Sequence, residues 1–135
     1  MDEPRQPGEL PGDHAVALAR AAAEAIRGLN HATRHQDGLG QPSAAYDVLG
    51  ALSQAAARTG QALAQIIRYL DAAANAGHLG HDHGEDPAFA VDAAEVFLSD
   101  ARLSAAALAG DLDAAQQQLA LVNGRPGPRA CKDSS

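Results

Sequence analysis

Aromatic residues and cysteine are almost missing from this 135-residue sequence, which has no Trp, two Phe, two Tyr and one Cys. Because Cys131 stands alone, no disulfide can form within the sequence, and a reducing compartment is the simplest expectation. The opening residues, Met1 to Pro4, include no apolar stretch, so we expect no signal peptide. No run approaches the roughly 18 apolar residues of a membrane span. These features predict a cytoplasmic protein without a membrane partner.

Basic residues are also few: ten Lys and Arg stand against 17 Asp and Glu, a formal net charge of −7. Nucleic-acid-binding proteins normally present a basic face, so this balance argues against a nucleic-acid partner. The acidic excess is local, because residues 86–122 carry six acids and one Arg, whereas residues 13–34 carry two acids and three Arg. The acids either form solvated faces that keep the protein soluble, or attract the first helix or a partner to the acidic segment.

Alanine is the most abundant residue, with 33 in the sequence. It is the best helix former, so local propensity favours helix over most of the chain. Each buried alanine removes little apolar area from water, at roughly 25 cal/mol per Å². Helices faced with alanine can pack closely, yet they often need more than one chain to bury enough surface. We therefore expect an oligomer.

The strongest pattern is a seam of small or apolar residues in two long segments, spaced in alternating steps of three and four. This spacing keeps one face of a helix against a partner helix. In the segment 86–122 the seam is Val91, Ala94, Leu98, Ala101, Ala105, Leu108, Leu112, Ala115, Leu119 and Val122. In the segment 43–76 it is Leu49, Leu52, Ala56, Thr59, Leu63, Ile66, Leu70 and Ala73.

The turn-forming residues divide the chain into three helices. Asp13 is the predicted N-cap of a first helix over about 14–34, and Asp86 followed by Pro87 is the predicted start of the third. With a second helix over about 43–76 and a third over about 87–122, residues 13–124 form one domain between a flexible lead-in (1–12) and a disordered tail (125–135). The sequence thus predicts an all-α, three-helix antiparallel bundle, built on a long helical hairpin and completed by dimerisation.

One histidine cluster has ligand chemistry: His78, His81 and His83, beside Asp82, Glu85 and Asp86, in the second interhelical loop. Imidazole suits Zn, Cu and Ni, and carboxylates can complete such a site. The alternative is a polar, glycine-rich loop that lacks a rigid scaffold.

A second polar group lies at the first helix end and the start of the second helix: His31, His35, Tyr46 and Asp47. A small pocket is one interpretation, and favourable contacts of Arg34 and His35 with the helix dipole are the other. The sequence has no nucleophile elbow and no phosphate-binding loop, so we expect no enzyme and no cofactor.

Two segments, Ala25-Ile26-Arg27-Gly28-Leu29-Asn30-His31-Ala32-Thr33 and Tyr46-Asp47-Val48-Leu49-Gly50-Ala51-Leu52, resemble small all-helical actinobacterial proteins of unknown function. The single Lys against nine Arg is typical of a high-GC genome. The resemblance implies a helical fold and brings no activity, ligand or site with it.

The sequence therefore predicts a non-enzymatic helical protein–protein interaction or scaffold module that self-associates, most simply as a homodimer, with another helical protein as a further partner. The alternatives are a metal-binding or metal-responsive protein using His78, His81 and His83, and a small-ligand or enzymatic role at the polar helix ends. The predicted interaction seam is Leu49, Leu52, Leu63, Ile66, Leu70, Leu98, Leu108, Leu112 and Leu119.

Overall fold

A computed structural model of the chain describes Gly8, residues 10–35 and residues 37–124. Within these residues it has three helices and no strand: α1 (Asp13–Ala32), α2 (Pro42–Asn75) and α3 (Pro87–Gln118). The all-helical prediction is confirmed. The predicted tail 125–135, with Cys131, and most of the predicted lead-in lie outside the described residues. The chain divides into two units, Met1–Gln41 and Pro42–Ser135, which are described separately.

The first unit contains α1, whose first turn differs from the sequence prediction. Gly12, with φ of 95°, is the N-cap, and Asp13 is the first helical residue. The Asp13 carboxylate accepts a hydrogen bond from the backbone N–H of Leu10, at 2.8 Å, rather than capping the helix itself. Glycine readily adopts this left-handed conformation because it has no Cβ. Within α1 no residue is buried, and Val16, Leu18 and Ile26 are 44–58% exposed.

The second unit is a hairpin of α2 and α3. The helix α2 ends in a Schellman motif: the N–H of Gly77 bonds the carbonyl of Ala74, and that of His78 bonds the carbonyl of Ala73. Gly77 takes the left-handed conformation that this motif requires, with φ of 73°. The helix α3 begins as predicted, because the Asp86 carboxylate accepts from the N–H of Ala88 at 3.0 Å. These two caps fix where the long helices end and begin.

Pairs of contacting residues show that α2 and α3 are antiparallel. The Ser53 hydroxyl bonds the carbonyl of Ala109, and the Gln116 side chain bonds the carbonyl of Tyr46. The pairing therefore runs in opposite directions along the two helices. The helix α3 stops at Gln118, four residues before its predicted end, because the next residues form short i→i−3 turns such as the one from the Leu119 N–H to the Gln116 carbonyl.

The core of the hairpin is made of small residues. Among the described residues the buried apolar side chains are Ala56, Ala73, Val91 and Ala105. A Cβ placed on Gly60 would lie 3.7 Å from the Cβ of Ala105, an ordinary packing distance. The two helices therefore approach closely, and each contact buries little area, as expected for alanine-faced helices.

The face that α3 turns towards α2 combines two rows of positions. One row is the predicted heptad series through Val91, Leu98, Ala105, Leu112 and Leu119, which are buried or half-buried. The other row lies four residues after Val91, Ala105 and Leu112, at the half-buried Glu95, Ala109 and Gln116, whereas the predicted Ala94, Leu108 and Ala115 are exposed. After Leu98 the prediction holds, because Ala101 is half-buried and Arg102 is exposed. On α2 the same shift brings Gly60 and Ile67 inwards in place of Thr59 and Ile66. At Gln116 the physical reason is its hydrogen bond across the hairpin to the Tyr46 carbonyl, and at Gly60 it is the close approach of the helices, since a Cβ there would lie 3.7 Å from that of Ala105.

Candidate interaction surface

Two hydrogen bonds join side chains to backbone carbonyls across the hairpin. The Ser53 hydroxyl donates to the Ala109 carbonyl at 2.8 Å, and the Gln116 amide donates to the Tyr46 carbonyl at 3.0 Å. Both donors are partly buried. Gln116 reaches Tyr46 because Gly50 has no side chain: a Cβ there would overlap the Gln116 amide nitrogen. These polar groups therefore fix the register of α2 against α3.

An acidic pair also lies on the hairpin, formed by Glu95 of α3 and Asp71 of α2. The Oε2 atom of Glu95 is buried and has no hydrogen-bond partner while both carboxylates are ionised, because an ionised carboxylate can accept a hydrogen bond but not donate one. The pKa of Glu95 is raised from its ordinary 4.5, first by a hydrogen bond with Asp71 that stabilises the protonated carboxyl. Loss of hydration and the negative charges of Asp71 and Asp92 raise it further. These effects favour the protonated form of the Glu95 carboxyl.

The predicted interaction seam divides into two groups in the structure. Leu49, Leu52, Leu63, Leu70, Leu98, Leu112 and Leu119 are half-buried in the hairpin, whereas Ile66 and Leu108 are 45% and 52% exposed. The half-buried leucines lie along the two helices that contact each other, so they already contribute to folding of the single chain. The prediction that they also join one chain to another stays a prediction.

Four large apolar side chains that the sequence reasoning did not single out are the most exposed along α3. Phe89, Val96, Phe97 and Leu103 are 76%, 61%, 73% and 71% exposed. Leu121, just after the helix, is 95% exposed. The sequence does contain a pattern that could have identified three of them, because Phe89, Val96 and Leu103 are spaced by seven residues. Isolated exposed apolar residues are common, but a row of them on one helix marks an interaction surface.

An open groove of about 820 Å³ runs along one side of the hairpin, and Leu103 is the one residue of this row that lines it. Gly60 and Ala64 of α2 and Arg102 and Leu103 of α3 are among its lining residues. Its walls are mainly small side chains, so a helix could approach closely there. Arg102 gives the groove a cation on the otherwise acidic α3.

In the histidine loop, two of the three histidines, His81 and His83, lie close to each other. The ring centroids of His81 and His83 lie 5.7 Å apart, and the backbone N–H of His83 donates to the Nδ1 atom of His81 at 3.1 Å. While Nδ1 accepts this bond, its lone pair is not free to bind a metal ion. Within the described residues, no group of three or more His, Cys, Asp or Glu is arranged to hold a metal ion.

Three of the four polar residues predicted to meet at the helix ends are exposed. His31 and His35 are exposed, and Asp47 at the start of α2 is exposed as well. Tyr46 is half-buried, and its backbone carbonyl is the acceptor for Gln116. A shallow open depression of about 470 Å³ lies along α1 itself, where Glu24 and Arg27 form an ion pair at 3.4 Å.

In the ranges 10–35 and 37–124, no helix is both long and apolar enough to cross a bilayer. No protein-family model, no curated protein and no solved structure matches the chain.

Proposed function

We propose that this protein is a non-enzymatic helical interaction module that self-associates, most simply as a homodimer. The observation that carries the proposal is the row of large apolar side chains on α3, of which Phe89, Val96 and Leu103 are 61–76% exposed. They lie on a well-formed 32-residue helix whose opposite face is already packed on α2. An apolar row on such a helix lowers its free energy when a second helix covers it.

The chemistry of the hairpin supports a structural role. Ser53 and Gln116, its partly buried hydrogen-bonding side chains, donate to backbone carbonyls of the neighbouring helix. Such bonds specify how two helices align, because a misaligned pair leaves a buried polar group without a partner. The acidic balance of the chain supports a protein partner rather than a nucleic acid, and we place the protein in the cytoplasm.

The test is native mass spectrometry of the full-length, untagged protein, which reports subunit number and bound metal together. We expect a dimer without stoichiometric metal, in equilibrium with monomer on dilution. Sedimentation equilibrium over a wide concentration range checks that the dimer exists in solution. A species that stays monomeric up to high micromolar concentration contradicts self-association. A metal ion that survives desalting in one-to-one ratio contradicts the proposal in favour of the histidine loop.

A further inference from the structure

Glu95 and Asp71 occupy the same heptad positions near the loop end of the hairpin as Gln116 and Gly50 do near its other end. The Gln116 side chain lies against Gly50. Three heptads, or 21 residues, towards the loop from these two positions are Glu95 on α3 and Asp71 on α2. In antiparallel helices that pack with a seven-residue repeat, equal steps in opposite directions keep the same two faces together. The register therefore places Glu95 against α2 in the way that it places Gln116, and both side chains are half-buried.

The two ends of the hairpin differ in hydrogen-bonding chemistry. The Gln116 amide donates a hydrogen bond to the Tyr46 carbonyl at 3.0 Å, whatever the pH. An ionised Glu95 has no hydrogen to donate, and its buried Oε2 atom has no partner. A protonated carboxyl has nearly the shape of a glutamine amide and gains one O–H donor. Glu95 can therefore hold the two helices together as Gln116 does only while it carries a proton.

The charged groups around Glu95 favour this proton. Asp71 faces Glu95 from α2, and Asp92 lies one helical turn before it on α3. Arg68, three residues before Asp71 on α2, forms no ion pair with them, because the one ion pair of the described residues lies within α1. The pKa of Glu95 is raised above all by its hydrogen bond with Asp71, and the two negative charges raise it further.

We propose that Glu95 and Asp71 form a proton-operated latch near the loop end of the hairpin, closed in acid by a hydrogen bond from the Glu95 carboxyl to the Asp71 carboxylate. When Glu95 ionises, its proton passes to water and both groups carry a negative charge. The buried Oε2 atom then regains hydration only if the side chain turns outward or the helices separate locally. Ionisation therefore favours a more open loop end, while the Gln116 contact keeps the other end closed. The latch lies within one hairpin and does not depend on self-association.

The sign of the pH effect follows from the raised pKa of Glu95. The stabilisation is complete below the ordinary pKa of 4.5 and is lost as the pH rises through the folded pKa. The adjoining loop contains His78, His81 and His83, which also gain protons on acidification. A comparison that changes Glu95 and leaves the histidines in place separates the two contributions.

The first test follows amide hydrogen exchange of the full chain by mass spectrometry, expressed as protection factors so that the effect of pH on intrinsic exchange is removed. Acidification from pH 7 should raise protection in residues 68–95 by at least about twofold, the least that one net hydrogen bond contributes, and leave residues 43–53 unchanged. Glu95→Gln, which keeps a donor at every pH, should show the higher protection already at pH 7 and lose most of the response. An equal response in the natural chain and in Glu95→Gln would assign the effect to the histidines and overturn the latch.

The second test measures the Glu95 carboxyl directly by a carbon-detected NMR titration. Asp71→Asn removes the charged acceptor and should shift the pKa of Glu95 back towards 4.5. Asp111→Asn is the matched control, because it removes the same charge from an exposed position further along α3 and should leave the pKa of Glu95 where it is. If Glu95 titrates with its ordinary pKa in the natural chain, or if Asp71→Asn does not move it, the latch is overturned. Neither outcome depends on the subunit number that tests the proposed function.

Discussion

Gly50 provides a stringent test of the hairpin, because replacing it by alanine changes the free energy of unfolding in two opposite ways. Replacing a glycine in a helix interior by alanine usually stabilises a helix by about 0.8–1.0 kcal/mol. A Cβ on Gly50, however, would overlap the amide of Gln116, which donates to the Tyr46 carbonyl. The amide must then move, and losing a hydrogen bond of this kind costs about 0.5–1.5 kcal/mol. The two terms nearly cancel, so Gly50→Ala should change the free energy of unfolding by less than about 0.7 kcal/mol.

Gly60 is the matched control on the same helix. A Cβ there meets the Cβ of Ala105 at 3.7 Å, which is ordinary van der Waals contact. Gly60→Ala should therefore gain the full helix-propensity term, about 1 kcal/mol, or roughly 4–8 °C in the midpoint of thermal unfolding for a unit of this size. Urea unfolding followed by circular dichroism measures both variants, and an unchanged slope shows that the transition is comparable.

A double-mutant cycle isolates the cause. Gln116→Ala alone should destabilise the protein, whereas adding Gly50→Ala to it should recover most of the alanine gain, because nothing is left to displace. If Gly50→Ala stabilises the protein as much as Gly60→Ala does in the presence of Gln116, the side chain does not lie against Gly50. That result would refute the proposed basis of the hairpin register.

Three further predictions concern the ends and the seam of the hairpin. Replacing Asp86 by Ala should lower the free energy of unfolding by about 1 kcal/mol, and Asp86→Ser should restore most of it, since Ser also caps helices. Because the pKa of folded Glu95 is raised, its protonation stabilises the fold below the ordinary pKa of 4.5, and this contribution is lost as pH rises through the folded pKa. Glu95→Gln should therefore raise the melting temperature at pH 7 and flatten its rise towards mild acid; an unchanged pH profile would refute the effect. Calorimetric titration with Zn²⁺ should show no binding tighter than millimolar, and submicromolar binding lost when His78, His81 and His83 become Ala would favour the metal-binding alternative.

The ends of the helices show what local sequence can determine. Asp86 caps α3 because its short carboxylate reaches the N–H of Ala88, and Gly77 ends α2 because only glycine readily takes its backbone conformation. Both depend on residues within one turn of each other, so sequence reading finds them. The cap of α1 was misassigned to Asp13 for a local reason too: a carboxylate at the start of a helix can bond backward to Leu10 as well as forward.

The candidate surface was only half predictable. The spacing of Phe89, Val96 and Leu103 is visible in the sequence, but their exposure is not, because an apolar heptad row reads the same whether it packs inside the chain or outside it. Both faces of α3 offer such rows. Only the position of α2 identifies which row remains uncovered.

The sequence by itself determined that this protein is helical, where its long helices begin, and one heptad row of each helix in the hairpin. Alanine-rich composition, cap residues and a seven-residue repeat are enough for that. The tertiary structure alone decided the second row of α3, which lies four residues onward at Glu95, Ala109 and Gln116 but three residues onward at Ala101. On an isolated helix, position 94 could face the partner helix as well as position 95, and position 115 as well as position 116. Packing against α2 selects position 116, because the Gln116 side chain donates a hydrogen bond to the Tyr46 carbonyl and Gly50 leaves room for it.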